Sequence, residues 1–164
     1  VQQQTHSTLE VIYESWKGYQ EKLRDTIAPL TREQLLLQPA PHMWPVAQLA
    51  QHIISVRAGW FCGTMQDDDE KMNEYMMTWG QRNSPPRSAE ELAHGLDETW
   101  AFIESRLQRW TPSDYAMTFP DEWDGQVYYV SRSWIVYHVL EHDLHHGGEI
   151  SLILGMHGLP GLNL

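Results

Sequence analysis

His138-Val139-Leu140-Glu141-His142-Asp143-Leu144-His145-His146-Gly147-Gly148-Glu149 places four imidazoles within one short stretch of the chain. On an α-helix each residue turns by about 100°, so residues four apart lie about 40° apart and one turn above each other. Trp134, His138, His142, His146, Ile150 and Leu154 then form one shallow stripe. The stripe is apolar at both ends, which predicts that it faces the core. Imidazoles buried there are costly unless something satisfies them. A pair at i and i+4 can chelate one ion, as in the helical H-E-x-x-H zinc motif. Spacing leaves two pairs open, His138 with His142 and His142 with His146, with a modest preference for the second. His145 and Glu149 flank the same face. A reactive site wants a third ligand from another element, and His52 is placed for it. It lies between Leu49 and Val56, beside Ile53, on the inward side of an earlier helical stretch.

Outward from that stretch the pattern predicts an all-α chain: a four-helix bundle with long connections and no strand of weight, forming one domain over residues 1–164. The first helix is expected from about Thr5 to Ala28, on the recurrence of Leu9, Ile12, Tyr13, Trp16, Tyr19, Leu23 and Ile27. Pro29 closes it. Thr31 looks like the cap of a short turn that runs through Leu37. Pro45 suits the first turn of the second helix, expected to reach about Met65. Residues 66–87 read as a loop with some local helix. Ser88 with Glu91 is a capping box opening the third helix, which ends near Trp110. A connection over about 113–130 follows, and then Ser131 or Ser133 caps the fourth helix, which ends near Met156 before Gly158 and Pro160.

The composition narrows the function classes. The formal net charge is −11, with only 11 lysines and arginines, and these are scattered. A surface of that sign repels phosphate backbones, so nucleic acid is not the expected partner. No apolar run approaches the roughly 20 residues needed to cross a bilayer. The one cysteine, Cys62, cannot make an internal disulfide. With no leader-like opening, a cytoplasmic location is expected. Eight tryptophans and seven methionines serve core packing and can also line an adaptable apolar pocket.

His52 in an apolar second helix, a Trp-led fourth helix, and the His142–His146 pair running into Gly148-Glu149-Ile150 resemble the DinB-like (DNA-damage-inducible) superfamily. The likeness covers nearly the whole chain in layout, with the specific motif confined to the fourth helix and the neighbourhood of His52. It implies a four-helix bundle whose divalent transition metal, whether Zn, Ni or Fe, is held by His52, His142 and His146. It also implies kinship with thiol-using S-transferases and a mycothiol-dependent isomerase, and hence a low-molecular-weight thiol cosubstrate. A homodimer is plausible on the same ground. Relatives often carry Arg directly after the second of the paired histidines, whereas Gly147 stands here. Adjacent glycines in a helix cost roughly 1 kcal/mol each relative to alanine. The Gly147-Gly148 pair therefore predicts a close backbone approach.

Three neutral imidazoles leave room on the ion for water or substrate, the pattern of a reactive site. An ion so held lowers the pKa of water or of a thiol and supplies a nucleophile near neutral pH. The expected function is thus a metal-dependent S-transferase or hydrolase acting on a small molecule, the alternative a non-catalytic metal-binding stress-response protein. Glu149 is a weak candidate for a general base, and is equally suited to holding a ligand imidazole. His138 reads as a packing or supporting residue, and His145 as an ion-pair partner of Glu141. Trp60, Trp134 and Tyr137 are candidate pocket residues that core packing would also explain. No base is placed to activate Cys62. The Asp67–Glu70 run lacks the spacing of a calcium loop and reads as a solvated turn. His6, His42, His94 and His157 read as ordinary surface residues.

Overall fold

In the computed structural model, which describes residues 7–81 and 84–164, four long helices form the body of the molecule. They are α1 (Thr8–Ile27), α3 (Val46–Ala58), α5 (Ala89–Leu107) and α6 (Arg132–Met156). Two shorter helices, α2 (Arg32–Leu35) and α4 (Glu70–Thr78), lie in the connections, and α3 runs on as a π-helical turn over Gly59–Thr64. Among the described residues no helix is long and apolar enough to cross a membrane.

Local chemistry sets the helix starts. Ser7 accepts from the Glu10 amide while Glu10 caps back onto Ser7, so α1 begins after Ser7, later than the Thr5 expected. Thr5 and His6 themselves lie outside the described residues. Ser88 and Glu91 form the box that opens α5. For α6 the open choice falls to Ser131, whose hydroxyl accepts from Trp134 N at 3.2 Å. Residues 66–87 contain α4, capped by the Asp69 side chain. The neighbouring acidic residues are engaged rather than merely solvated: Arg106 donates to both oxygens of Asp67, at 2.7 and 3.0 Å, and Asn73 donates to Asp68.

The long connection expected over about 113–130 holds one small hairpin in an otherwise helical fold. Thr118–Trp123 (β1) and Gln126–Ser131 (β2) pair as an antiparallel hairpin, with Trp123 opposite Gln126. Asp124 and Gly125, both at positive φ (51° and 71°), make the two-residue turn that suits the twist of a hairpin.

The core is packed by Trp16, Leu23, Ile53, Leu96, Ile103 and Ile150, each 1% exposed or less. Within it α3 and α6 are joined by a buried ion pair that the sequence reading did not anticipate. Arg57 Nη2 and Nε donate to Asp143 Oδ2 at 2.8 and 3.0 Å, and Nη1 donates to Gln20 Oε1 at 2.7 Å and to Leu96 O at 3.2 Å. Trp16 Nε1 donates to Asp143 Oδ2 at 2.7 Å. Gly147 shows the close approach expected of the glycine pair, since a Cβ there would overlap the Tyr19 hydroxyl. At Gly148 no other element among the described residues comes within 4 Å of that position.

Candidate metal centre

The inward ridge of α6 runs through Ile135, Val139, Asp143, Gly147 and Ile150, all buried. The histidine stripe sits one residue round from it, so His138, His142 and His146 are half-buried at the edge of the core rather than within it. That is a correction with a consequence: the imidazoles face α3 and remain within reach of solvent. His52 projects from α3 toward them. Its Nε2 lies 3.0 Å from Nε2 of His142, and the ring centroids of His52 and His146 are 5.0 Å apart. Donor atoms of His52, His142 and His146 all lie within 4.8 Å of one another. The three can hold a metal ion.

Several features fit that use. Ligand nitrogens about 2.0–2.1 Å from a tetrahedral ion stand roughly 3.4 Å apart, close to the His52–His142 separation. Burial, followed by the charge of His146, lowers the His52 pKa to about 4. The same causes, joined by His52, His138 and His145, lower that of His142 to about 3. Both rings are therefore neutral at pH 7, with lone pairs available. His146 Nδ1 lies 2.6 Å from Glu149 Oε2, so a proton on Nδ1 leaves Nε2 free to ligate. On the other side of its ring, His142 Nδ1 is buried without a partner among the described residues.

The remaining candidates take definite places. His138 is not one of the converging three. It stacks on Trp134, with centroids 4.8 Å apart and planes 9° from parallel, meets Trp60 edge-on at 5.0 Å, and lies 6.3 Å from His142. Glu149 is tied to His146, which suits it to orient that ring rather than to act as a free base. His145 is exposed and pairs with Glu149 at 3.7 Å, not with Glu141 as expected. His145, His146 and Glu149 also lie close enough to share an ion, with Glu149 standing 3.7 Å from His145 and 2.6 Å from His146. Tyr137 is 60% exposed and lines a separate groove of about 1140 Å³ between α1, α5 and α6, so it does not line this site. The Cys62 thiol is buried, and that burial raises its pKa and disfavours the thiolate. Trp44, which the sequence reading passed over, lies edge-on to His52 with centroids 4.9 Å apart, and 6.3 Å from the His146 ring. Its one sequence signal was its place just before Pro45, at the mouth of the helix that carries His52.

Two histidines on one helix and a third on a facing helix are an arrangement from which helical bundles can build a metal site. The family model described as the DinB superfamily matches residues 16–150, and the chain belongs to that superfamily. Its fold is similar to that of a DinB-like protein from Bacillus cereus ATCC 10987, with a TM-score of 0.73, 22% identity, and 98% of this chain and 99% of that one covered. A conserved protein from Enterococcus faecalis is similar too, with a TM-score of 0.66, 15% identity, and 92% and 99% of the two chains covered. At such identities the likeness speaks to the fold alone. No curated protein matches the chain.

Proposed function

We propose that this protein is a metal-dependent enzyme of thiol-transfer or hydrolytic type, with one divalent transition ion, Zn, Ni or Fe, held by His52, His142 and His146. The observation that carries the reading is the convergence of three imidazoles, those of His52 and His142 kept neutral by burial, on one half-buried point between α3 and α6. A divalent ion in such a site lowers the pKa of a thiol or water and so supplies a nucleophile near neutral pH. The chain's own residues do the rest. Glu149 accepts the Nδ1 proton of His146 and fixes the ring's tautomer. The Arg57–Asp143 pair sets α3 against α6, and so sets His52 against His142. Trp44, Trp60 and Trp134 keep the neighbourhood apolar, which strengthens charge interactions there.

A second reading, a metal-binding stress-response protein without catalysis, is favoured by one observation: the nearest carboxylate, Glu149, is engaged with His146 and is not free to act as a base. Elemental analysis of protein purified without added metal should find about one divalent ion per chain, lost in His142→Ala. Thermal shift with a panel of low-molecular-weight thiols then separates the two readings. A thiol that raises the melting temperature of the loaded protein, but not of His142→Ala, supports the enzyme. Absence of metal from the wild type overturns both.

A further inference from the structure

The outward ridge of α6 is left uncovered. Leu144, Gly148, Leu152 and Met156 follow one another at four-residue intervals, with Gly155 beside the last of them, and all five are exposed. Leu144, Leu152 and Met156 are 46%, 63% and 59% exposed. Packing within one chain does not account for the ridge. Glycine inside a helix is unfavourable relative to alanine. Gly147 has its reason in the Tyr19 hydroxyl, whereas a Cβ added at Gly148 or Gly155 would meet no other element within 4 Å among the described residues. The ridge thus alternates open notches with large apolar side chains.

Knobs and notches are related by reversal. Counting away from Ile150 in the two directions, Leu152 answers to Gly148 and Met156 answers to Leu144. Two copies of α6 laid antiparallel, with a two-fold axis at the level of Ile150, set each Leu152 over the other copy's Gly148. Each Leu144 then meets the other copy's Met156. A two-fold interface requires a self-complementary patch of this kind, and interlocking ridges of residues four apart are the commonest helix packing.

Charge selects the same occupant. The chain carries −11, so two copies repel wherever their carboxylates meet. None of the five ridge residues is charged, and the hollow beside them, which Tyr19, Ser151 and Leu162 help to line, holds no charged side chain either. A basic partner would find no carboxylate there to pair with. The area is also sufficient. With Leu9, Ile12 and Tyr137 farther along the seam of α1 and α6, the uncovered apolar side chains come to roughly 600 Å² per copy, against about 800 Å² given by each partner in a stable interface.

We propose that this protein associates as a two-fold dimer through α6, with Leu152 of each copy seated on Gly148 of the other. The ridge lies on a different side of α6 from the imidazoles that face α3, so the dimer stands or falls independently of the metal reading.

Sedimentation equilibrium of the protein as purified should give about twice the 19.1 kDa of one chain. Gly148→Leu fills the notch at a position that is open in the single chain. Circular dichroism should therefore show the helical fold unchanged, while the dimer weakens by at least about tenfold. Leu152→Glu, also at an exposed position, puts a carboxylate into the same contact and should give monomers. Gly148→Leu combined with Leu152→Ala moves the knob to the opposite side of each contact and should restore much of the lost association. A wild type that stays monomeric at about 100 µM, where even a weak specific dimer is populated, overturns the proposal. So does a dimer left intact by both Gly148→Leu and Leu152→Glu. A double variant no better associated than Gly148→Leu alone overturns the antiparallel pairing that the proposal specifies.

Discussion

Asp143 and His142 are adjacent on α6, yet their surroundings differ in kind. Asp143 is fully buried, and its carboxylate receives Arg57 and the Trp16 indole, while Gln20 Oε1 and Leu96 O accept from Arg57 Nη1. His142, one residue round the helix, is half-buried among like groups, keeps its Nδ1 without a partner among the described residues, and has a pKa pressed down to about 3 by burial and neighbouring imidazoles. The first cluster is held together by partners from within the chain. The second gathers three imidazoles on one point and leaves one of their nitrogens without a partner among the described residues. Buried polar groups are normally satisfied, so an unfinished cluster beside a finished one points to something supplied from outside.

The largest effect expected from this contrast is on stability. Asp143→Ala strands the buried guanidinium and should cost about 3–5 kcal/mol in denaturant unfolding of the metal-free protein. His142→Ala should cost far less by the same measure, since it removes a group whose bonding is already incomplete. Equal losses in the two variants would erase the distinction.

Next in size is Glu149→Gln, which weakens the acceptor that holds His146 Nδ1. Metal affinity should fall about 10–100-fold, while denaturant stability without metal changes little. An affinity unaltered by this change in calorimetric titration would mean that the 2.6 Å contact does not set the ring.

The smallest effect sharpens the contrast through pH. His52 and His142 have folded-state values of about 4 and about 3, below the ordinary histidine value of 6.5. Below about pH 6.5 the unfolded chain takes up protons that the folded chain refuses. The metal-free protein should therefore hold its full stability above that pH and lose it steadily as the pH falls toward 4. His142→Gln should flatten this slope, and a melting temperature independent of pH over that interval would contradict it.

Much of this was legible in the residues. The stripe from Trp134 to Leu154, the capping box at Ser88 and Glu91, and the inward position of His52 all follow from helical period and from local hydrogen-bonding chemistry. The hairpin was harder to read. Asp124-Gly125 is a strong turn signal, but Pro120, Asp121 and Glu122 break the apolar alternation that marks a strand. Arg57 and Asp143 were unreadable as partners, because 86 residues separate them and a charged residue in an apolar run ordinarily signals a solvated position. The error of one residue round the helix on the stripe arose because apolar ends alone cannot say which of two adjacent ridges goes deepest.

The sequence by itself determined that His142 and His146 lie one turn apart, because the pitch of a helix ties that distance to four residues whatever surrounds it. It likewise determined that a third imidazole was available on a separate apolar helix. Only the tertiary structure decided that His52 meets them, that His138 does not, and that Trp44 from a loop packs edge-on against His52. Those relations depend on how α3 slides and rotates against α6. That offset is set by the sum of core packing and one buried ion pair, and no local stretch of the chain contains it.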